Sequence, residues 1–403
     1  MIRLPSTIKL NNESFMCFFS FLFFAISDIS RMFELIGIPR AVFYVLYLFV
    51  FASFFLKTMK QMKLFDYLYF LVVIPVVVWG TINYGSYIKA KSALYVMFIV
   101  FIPSYYFFRF CDLESMLKGL IASAYYSVIY LLLYYVFFVR STDATYSMSY
   151  AYWIAPPMCV LFYQYMRKRR ILDLLLAGLS FYTVISFGSR GALALSIAAI
   201  IYLYIFTVHD GERERPKIGW AIFFAVLIIA LWNPILSFLS ENMEDSRSID
   251  KLLAGEFMES TSRDELYQLC QRLLANKPSG YGPLASRELM GVDPYPHSMY
   301  YEMQLDYGKV IGTVVFAFVI YVSVVNLWSF RKDKMQIIAA TTCIIGIASL
   351  FVSSSYFQEM HVPAVIALYV SMAQRKRQQR KVARAMEEER QVKEILSSRK
   401  EER

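Results

Sequence analysis

Long apolar runs separated by short polar turns recur along almost the whole of the 403-residue chain. A run of about 20 apolar residues, rising 1.5 Å per residue as a helix, matches the roughly 30 Å hydrocarbon core of a bilayer. The pattern predicts membrane-spanning helices near residues 14–36, 38–56, 64–86, 92–109, 117–139, 147–166, 171–187, 191–208, 218–239, 308–330, 335–354 and 356–373, about twelve in all. The first is the weakest, because its apolar stretch from Phe15 to Ile26 is short and Asp28, Arg31 and Glu34 follow. Its second half can tilt out into the interface. No small-residue cleavage site follows it, so it reads as a retained helix and not as a signal peptide.

These boundaries divide the chain into helices 1–9 (residues 1–239), a polar loop (240–306), helices 10–12 (307–373) and a basic tail (374–403). The expected fold class is an all-α polytopic membrane protein. Composition agrees: 58% of residues are hydrophobic and 18% charged, against about 25% charged in soluble domains. Cys17, Cys111, Cys159, Cys270 and Cys343 are scattered, with neither a disulfide framework nor metal-ligand spacing. Neither metal nor cofactor is expected.

Charge gives the chain an orientation. Seventeen Lys and Arg, among them Lys57, Lys60, Lys63, Arg109, Lys118 and Arg167 to Arg170, fall at the N-terminus and in alternate short loops. The opposite short loops hold six: Arg31, Arg40, Lys89, Lys91, Arg140 and Arg190. Cytoplasmic loops carry the positive excess, so both termini are predicted cytoplasmic and the long loop extracytoplasmic. The tail from Arg375 to Arg403 carries half of the net charge of +10. It lacks a continuous apolar stripe and reads as a solvated segment drawn to anionic lipid, with no likeness to a nucleic-acid module.

Within the long loop, Ser262-Arg263-Asp264-Glu265 fits a capping box that starts a helix. Leu266, Leu269, Cys270, Leu273 and Leu274 then form an apolar stripe at helical spacing, and Pro278-Ser279-Gly280-Tyr281-Gly282 ends it. An amphipathic helix lying on the bundle or at the interface is predicted. At Phe187-Gly188-Ser189-Arg190-Gly191 the chain turns between two spans with almost no loop. Ser189 can cap the following helix, whose free N–H groups favour an anion, and Arg190 adds a bidentate fork suited to phosphate. The alternative is a cation anchoring a helix end. Arg40, Lys89, Lys91, Arg140, Arg247, Arg272 and Arg287 can enlarge an outward positive field. Glu244, Asp245 and Asp250 lack the tight pairing that a diphosphate-bridging cation needs.

Three histidines are present. His209 beside Asp210 reads as a boundary residue, and His361 with Glu359 as a helix-end pair. His297, after Pro294-Tyr295-Pro296 and before Tyr300 and Tyr301, is a loop histidine on its own.

Together these blocks resemble the bacterial O-antigen and capsular polysaccharide polymerases of the Wzy type and the related O-antigen ligases. Ser189-Arg190-Gly191-Ala192 looks like the family's serine-arginine-glycine turn into a span. Ser262-Arg263 through Gly282 is similar to its arginine-led loop helix and glycine-rich turn. His297-Ser298, nine residues and Gly308 are similar to its histidine, nine-residue spacer and glycine. The ligase form continues with Gly, Thr or Tyr three positions after that glycine, where this chain has Ile311.

The resemblance implies a GT-C-like glycosyltransferase of the bacterial inner membrane. It would work without metal or cofactor on polyprenyl-diphosphate-linked oligosaccharides, with a chain-length regulator and a flippase as partners. The resemblance makes His297 and Arg190 the catalytic candidates, and Arg190, Arg263 and Ser189 the candidates for holding the diphosphate. The alternatives are a ligase that transfers glycan to lipid A core or to protein and, from another class, a lipid-linked oligosaccharide flippase or transporter. Transporters often carry matched broken helices in two halves; Pro75, Pro103, Pro156-Pro157 and Pro363 show no such matching.

Overall fold

The computed structural model describes residues 12–84, 96–134, 148–187, 189–207, 261–289, 296–351, 355–356 and 359–401. The described chain is helical throughout, with no strand among these residues. In chain order the helices are α1 (Asn12–Phe24), α2 (Ile26–Leu35), α3 (Arg40–Thr58), α4 (Leu64–Tyr84), α5 (Ile102–Phe110), α6 (Leu113–Tyr134), α7 (Met148–Lys168), α8 (Ile171–Ser186) and α9 (Arg190–Phe206). After the undescribed stretch come α10 (Thr261–Asn276), α11 (Ala285–Leu289), α12 (Met299–Tyr307), α13 (Lys309–Phe330), α14 (Gln336–Ala339) and α15 (His361–Glu401). A π-helical turn, Val96–Phe101, leads into α5, and a longer π segment, Ala340–Ile347, continues α14.

Among the described residues, three stretches are long and apolar enough to cross a membrane: Arg40–Gln61, Leu113–Tyr134 and Lys309–Phe330. α1 and α2, taken together as one span broken by a 70° bend, make a fourth. Five shorter apolar helices accompany them, at Leu64–Gly80, Val96–Phe110, Ile171–Ser186, Arg190–Phe206 and Gln336–Ile347. The expected single span at 14–36 is therefore bent at Ala25, because the charged groups of α2 do not continue the apolar surface of α1. The expected ninth span at 218–239 lies outside the described residues. The expected boundary between the last span and the tail is not a structural break, since α15 runs unbroken for 41 residues, about 60 Å. Phe49, Leu71 and Val310 are 70%, 68% and 76% exposed. Apolar surface on this scale needs a non-aqueous surround, and these helices associate the chain with a membrane.

Aromatic rings and small residues hold the bundle together. Phe23 stacks on Phe107 with centroids 4.1 Å apart, and Phe19 packs among Phe54, Phe51 and Phe107. At the crossing of α1 and α6, a Cβ on Gly119 would lie 2.2 Å from the Ser20 Cβ and 2.7 Å from the Phe21 nitrogen. Close approach through small residues is how helices associate where no hydrophobic drive separates protein from solvent.

Contacts sort the helix ends into two groups. At one end Arg109 (end of α5) donates to Asp66 (start of α4) at 2.9 Å and to Gln374 of α15, and Thr207, just past α9, donates to Gln336 at 3.1 Å. At the other, Gly80 near the end of α4 lies against Pro283. There too Tyr134 (end of α6) stacks on Tyr150 (start of α7), which stacks on Phe187 just past α8. The loop helices α10 to α12 gather at this second end.

Candidate functional site

The nine-residue spacer between Ser298 and Gly308 is one short helix, α12. His297 precedes it, half-buried between buried Pro296 and Ser298, in the left-handed region at φ +50°. The Met299 N–H donates to the Leu350 carbonyl at 2.8 Å, which ties the start of α12 to the end of the π segment. Gly308 ends α12 at φ +87° and lies directly against the Pro278–Gly282 turn. A Cβ on Gly308 would fall 2.7 Å from the Ser279 carbonyl carbon, and one on Gly280 (φ +81°) 2.3 Å from the Gly308 nitrogen. Three backbone bonds lock the crossing: Tyr281 N–H to Leu305 O at 2.7 Å, Gly282 N–H to Asp306 O at 2.9 Å and Lys309 N–H to Pro278 O at 3.0 Å. Backbones approach this closely only where Cβ is absent. The histidine block and the glycine-rich turn are thus one folded unit.

α10 lies on α12 through the predicted stripe. Cys270 and Leu274 are buried with Leu305, and Leu266, Leu269 and Leu273 pack around them. Tyr267 stacks on Tyr301 at 4.9 Å, and the Gln271 side-chain amide donates to the Tyr301 hydroxyl at 3.0 Å. Burial raises the Tyr267 phenol pKa, and the Arg263 guanidinium one turn earlier opposes that rise. Arg263 therefore sits, half-buried, on the helix that flanks the His297 unit. The helix is described from Thr261, and the capping box expected at Ser262 lies outside what is described, as does the Ser262 side chain.

Two buried carboxylates fasten α12 from its inner face. Glu302 accepts from the Ser355 hydroxyl and from the Tyr356 N–H at 3.1 Å. Asp306 accepts from the Tyr356 hydroxyl at 2.7 Å and the Ser286 N–H at 3.4 Å. Burial, reinforced by the nearby Glu302 charge, pushes the Asp306 carboxyl well above its ordinary range despite those donors. Neither residue stands out in the sequence, where an acidic pair four apart on a helix reads as solvated surface.

The Ser189–Arg190 turn belongs to a different packing cluster. The Ser189 hydroxyl caps α9 by accepting from the Ala192 N–H at 3.4 Å, as predicted. Around it Ala151, Ile154, Val184, Phe187 and Ala192 are buried together. Arg190 is half-buried at the first position of α9, a helix that packs on α7 and on the π segment. Leu350, the acceptor for α12, lies three residues beyond the same π segment.

Beside that element is a cavity of about 480 Å³ between α2, α6, α7, the π segment and the start of α15. Asp28, Arg31, Trp153, Thr342, Glu359 and His361 are among its lining residues. Asp28 is buried and accepts from the Ser127 hydroxyl, and the Arg31 guanidinium lies over the Trp153 ring. His361 Nε2 is 3.8 Å from Glu359, the pairing expected of them, and its ring fills the space where a Cβ on Gly346 would fall 2.2 Å from Nδ1. Arg190, Arg263 and His297 do not line this cavity. The available signal was the spacing of Asp28 and Arg31 within an expected span, since ionisable groups inside membrane helices mark functional sites. π segments gather at such sites too, but nothing in the sequence of Ala340–Ile347 announces one.

Of the remaining candidates, Arg40 pairs with Glu34 at the surface and Arg272 is exposed. Lys89, Lys91, Arg140, His209, Glu244, Asp245, Arg247 and Asp250 lie outside the described residues, as does the Arg287 side chain. No model of a known protein family matches the chain, and no curated protein matches it.

Proposed function

We propose that the chain is a polysaccharide repeat-unit polymerase of the inner membrane, with about twelve spans in a GT-C-like arrangement and both termini cytoplasmic. Its large loop and active site face outward. One observation carries the reading: the loop turn at Pro278–Gly282 and the His297–Gly308 block fold into a single unit through paired glycines, with Arg263 on the flanking helix. These are two of the three blocks that carry the resemblance.

In this reaction the terminal hydroxyl of one lipid-linked repeat unit attacks the anomeric carbon of another. A glycosidic C–O bond forms, the bond to the lipid diphosphate breaks with inversion, and the electron pair leaves with the diphosphate. Arg190 and Arg263 meet the developing negative charge. His297 either takes the hydroxyl proton or orients the hydroxyl, imidazole being the side chain that titrates nearest neutral pH.

The test is a reaction of purified protein with a defined polyprenyl-diphosphate oligosaccharide in chelator, comparing wild type with Arg190→Ala and His297→Ala. A ladder of repeat units from wild type alone supports the proposal. Transfer to a separate acceptor without a ladder indicates a ligase. The ionisable groups lining the 480 Å³ cavity favour a lipid-linked oligosaccharide flippase as the second reading; neither product, together with donor crossing a bilayer in proteoliposomes, would establish it.

A further inference from the structure

A second cavity of about 480 Å³ lies at the opposite end of the bundle, where the α3–α4 turn, the end of α5 and the middle of α15 meet. Leu64 and Gly80 on α4 separate this end from the loop end by about 24 Å, so it is not part of the candidate site above. Its polar lining consists of Lys60, Gln61, Lys63, Arg109, Ser371, Gln374, Arg375 and Gln378, with no carboxylate among the described lining residues.

Hydrogen-bond accounting turns this lining into a set of donors. Asp66, which is fully buried, takes the Arg109 Nε–H, the Tyr105 hydroxyl at 2.9 Å and the Lys63 backbone N–H at 2.8 Å. The Arg109 charge is thereby neutralised and its guanidinium fixed as a wall. Its Nη2 donates to the Gln374 amide oxygen, which leaves the Gln374 NH₂ as the free donor. The buried Ser371 hydroxyl has no hydrogen-bond partner among the described residues. Lys60, Lys63 and Arg375 are exposed and add three positive charges that no salt bridge among the described residues offsets.

We propose that this cavity binds the phosphate of an anionic phospholipid headgroup. A phosphate offers acceptors to every one of these donors and negative charge to the three cations. The other half of the lining is apolar, with Met62, Phe108, Phe110, Leu113, Phe330 and Met335, which suits the glycerol and upper acyl chains better than a fully hydrated anion. Leu64 and Phe65 beside it, 72% and 63% exposed, continue the apolar surface toward the bilayer.

The experiment is native mass spectrometry of the full chain in detergent, with phosphatidylglycerol, phosphatidylcholine and inorganic pyrophosphate as probes. Lys60→Gln/Lys63→Gln is compared with wild type, both positions being exposed so that folding is not at stake. Phosphatidylglycerol is expected to be retained over phosphatidylcholine, with the double variant about 30-fold weaker, the loss of two cations near an anionic headgroup. Arg375→Gln should weaken it further, and raised salt should weaken wild type more than the variant. Equal retention of the two lipids, or an unchanged double variant, would overturn the proposal. Pyrophosphate binding without phosphatidylglycerol binding would overturn the lipid assignment in favour of a soluble anion.

Discussion

Replacing Gly308 by alanine tests whether the nine-residue spacing is structural. Gly308 has φ +87° and ψ 163°, a region essentially reserved for glycine, where another residue costs about 1–3 kcal/mol. The added Cβ would sit 2.7 Å from the Ser279 carbonyl carbon and 2.8 Å from its oxygen, both backbone atoms, whereas ordinary contact begins at 3.4 Å. Restoring contact means moving the start of α13 off the Pro278–Ser279 turn by about 0.7 Å. That stretches the Lys309 N–H bond to Pro278 O from 3.0 Å beyond hydrogen-bonding range and forfeits about 1 kcal/mol. The total is roughly 2–4 kcal/mol. Hydrogen exchange in micelles should show the Tyr281, Gly282 and Lys309 amides opening roughly 30- to 700-fold more often; under the proposed function, glycan transfer is lost in parallel. Gly37→Ala is the control, since Gly37 has φ +80° but nothing within 4 Å of a Cβ. It should leave those three amides protected. Unchanged protection in Gly308→Ala, or equal loss in Gly37→Ala, would refute the reasoning.

Other substitutions report on the surrounding contacts. Gly346→Ala should expel the His361 ring, because a Cβ there meets Nδ1 and Cγ at 2.2 and 2.3 Å; thermal melting should show His361→Ala partly rescuing it, and strictly additive losses would contradict the packing. Asp306 binds its proton more tightly folded than unfolded, so its contribution to stability is greatest near pH 4 and is lost as pH rises toward the folded pKa. Protease resistance of the loop should therefore fall with rising pH across that window in wild type and stay flatter in Asp306→Asn, whose amide oxygen in the Oδ1 place still accepts from the Ser286 N–H while its NH₂ in the Oδ2 place donates to the Tyr356 hydroxyl oxygen. Arg109→Gln strands the fully buried Asp66 and should cost about 3–5 kcal/mol, lowering the melting temperature by several degrees. Arg40→Gln breaks a pair whose side chains are 43% and 58% exposed and should change it by less than 1 kcal/mol.

Much of the loop was legible from local pattern. The helix expected along the Leu266–Leu274 stripe and ending before Pro278 is α10, Thr261–Asn276, because apolar stripe and proline act within a few residues of one another. Ser189 caps α9 for the same reason. The spans were less legible. Hydropathy cannot see that α1 and α2 break at 70°, that α5 and α14 are extended by π turns, or that α15 runs past the membrane boundary. Helices whose inner faces carry Ser, Thr and Tyr lose average hydropathy without losing their place in the bundle.

The sequence by itself determined the helical class, the need for a non-aqueous surround, the loop helix and its glycine-rich stop, since all follow from composition and from interactions between near neighbours. Only the tertiary structure decided which of these elements meet. Gly280 and Gly308 are 28 positions apart, and Asp28, Trp153 and His361 span more than 300, yet each set shares one place. Such meetings depend on how rigid helices cross, and crossing geometry is fixed by the simultaneous packing of many faces, which no single stretch of sequence encodes. Crossing likewise divides the charges that counting alone treats alike. Arg109 is neutralised by Asp66, while Lys60 and Lys63 stay exposed beside the same cavity.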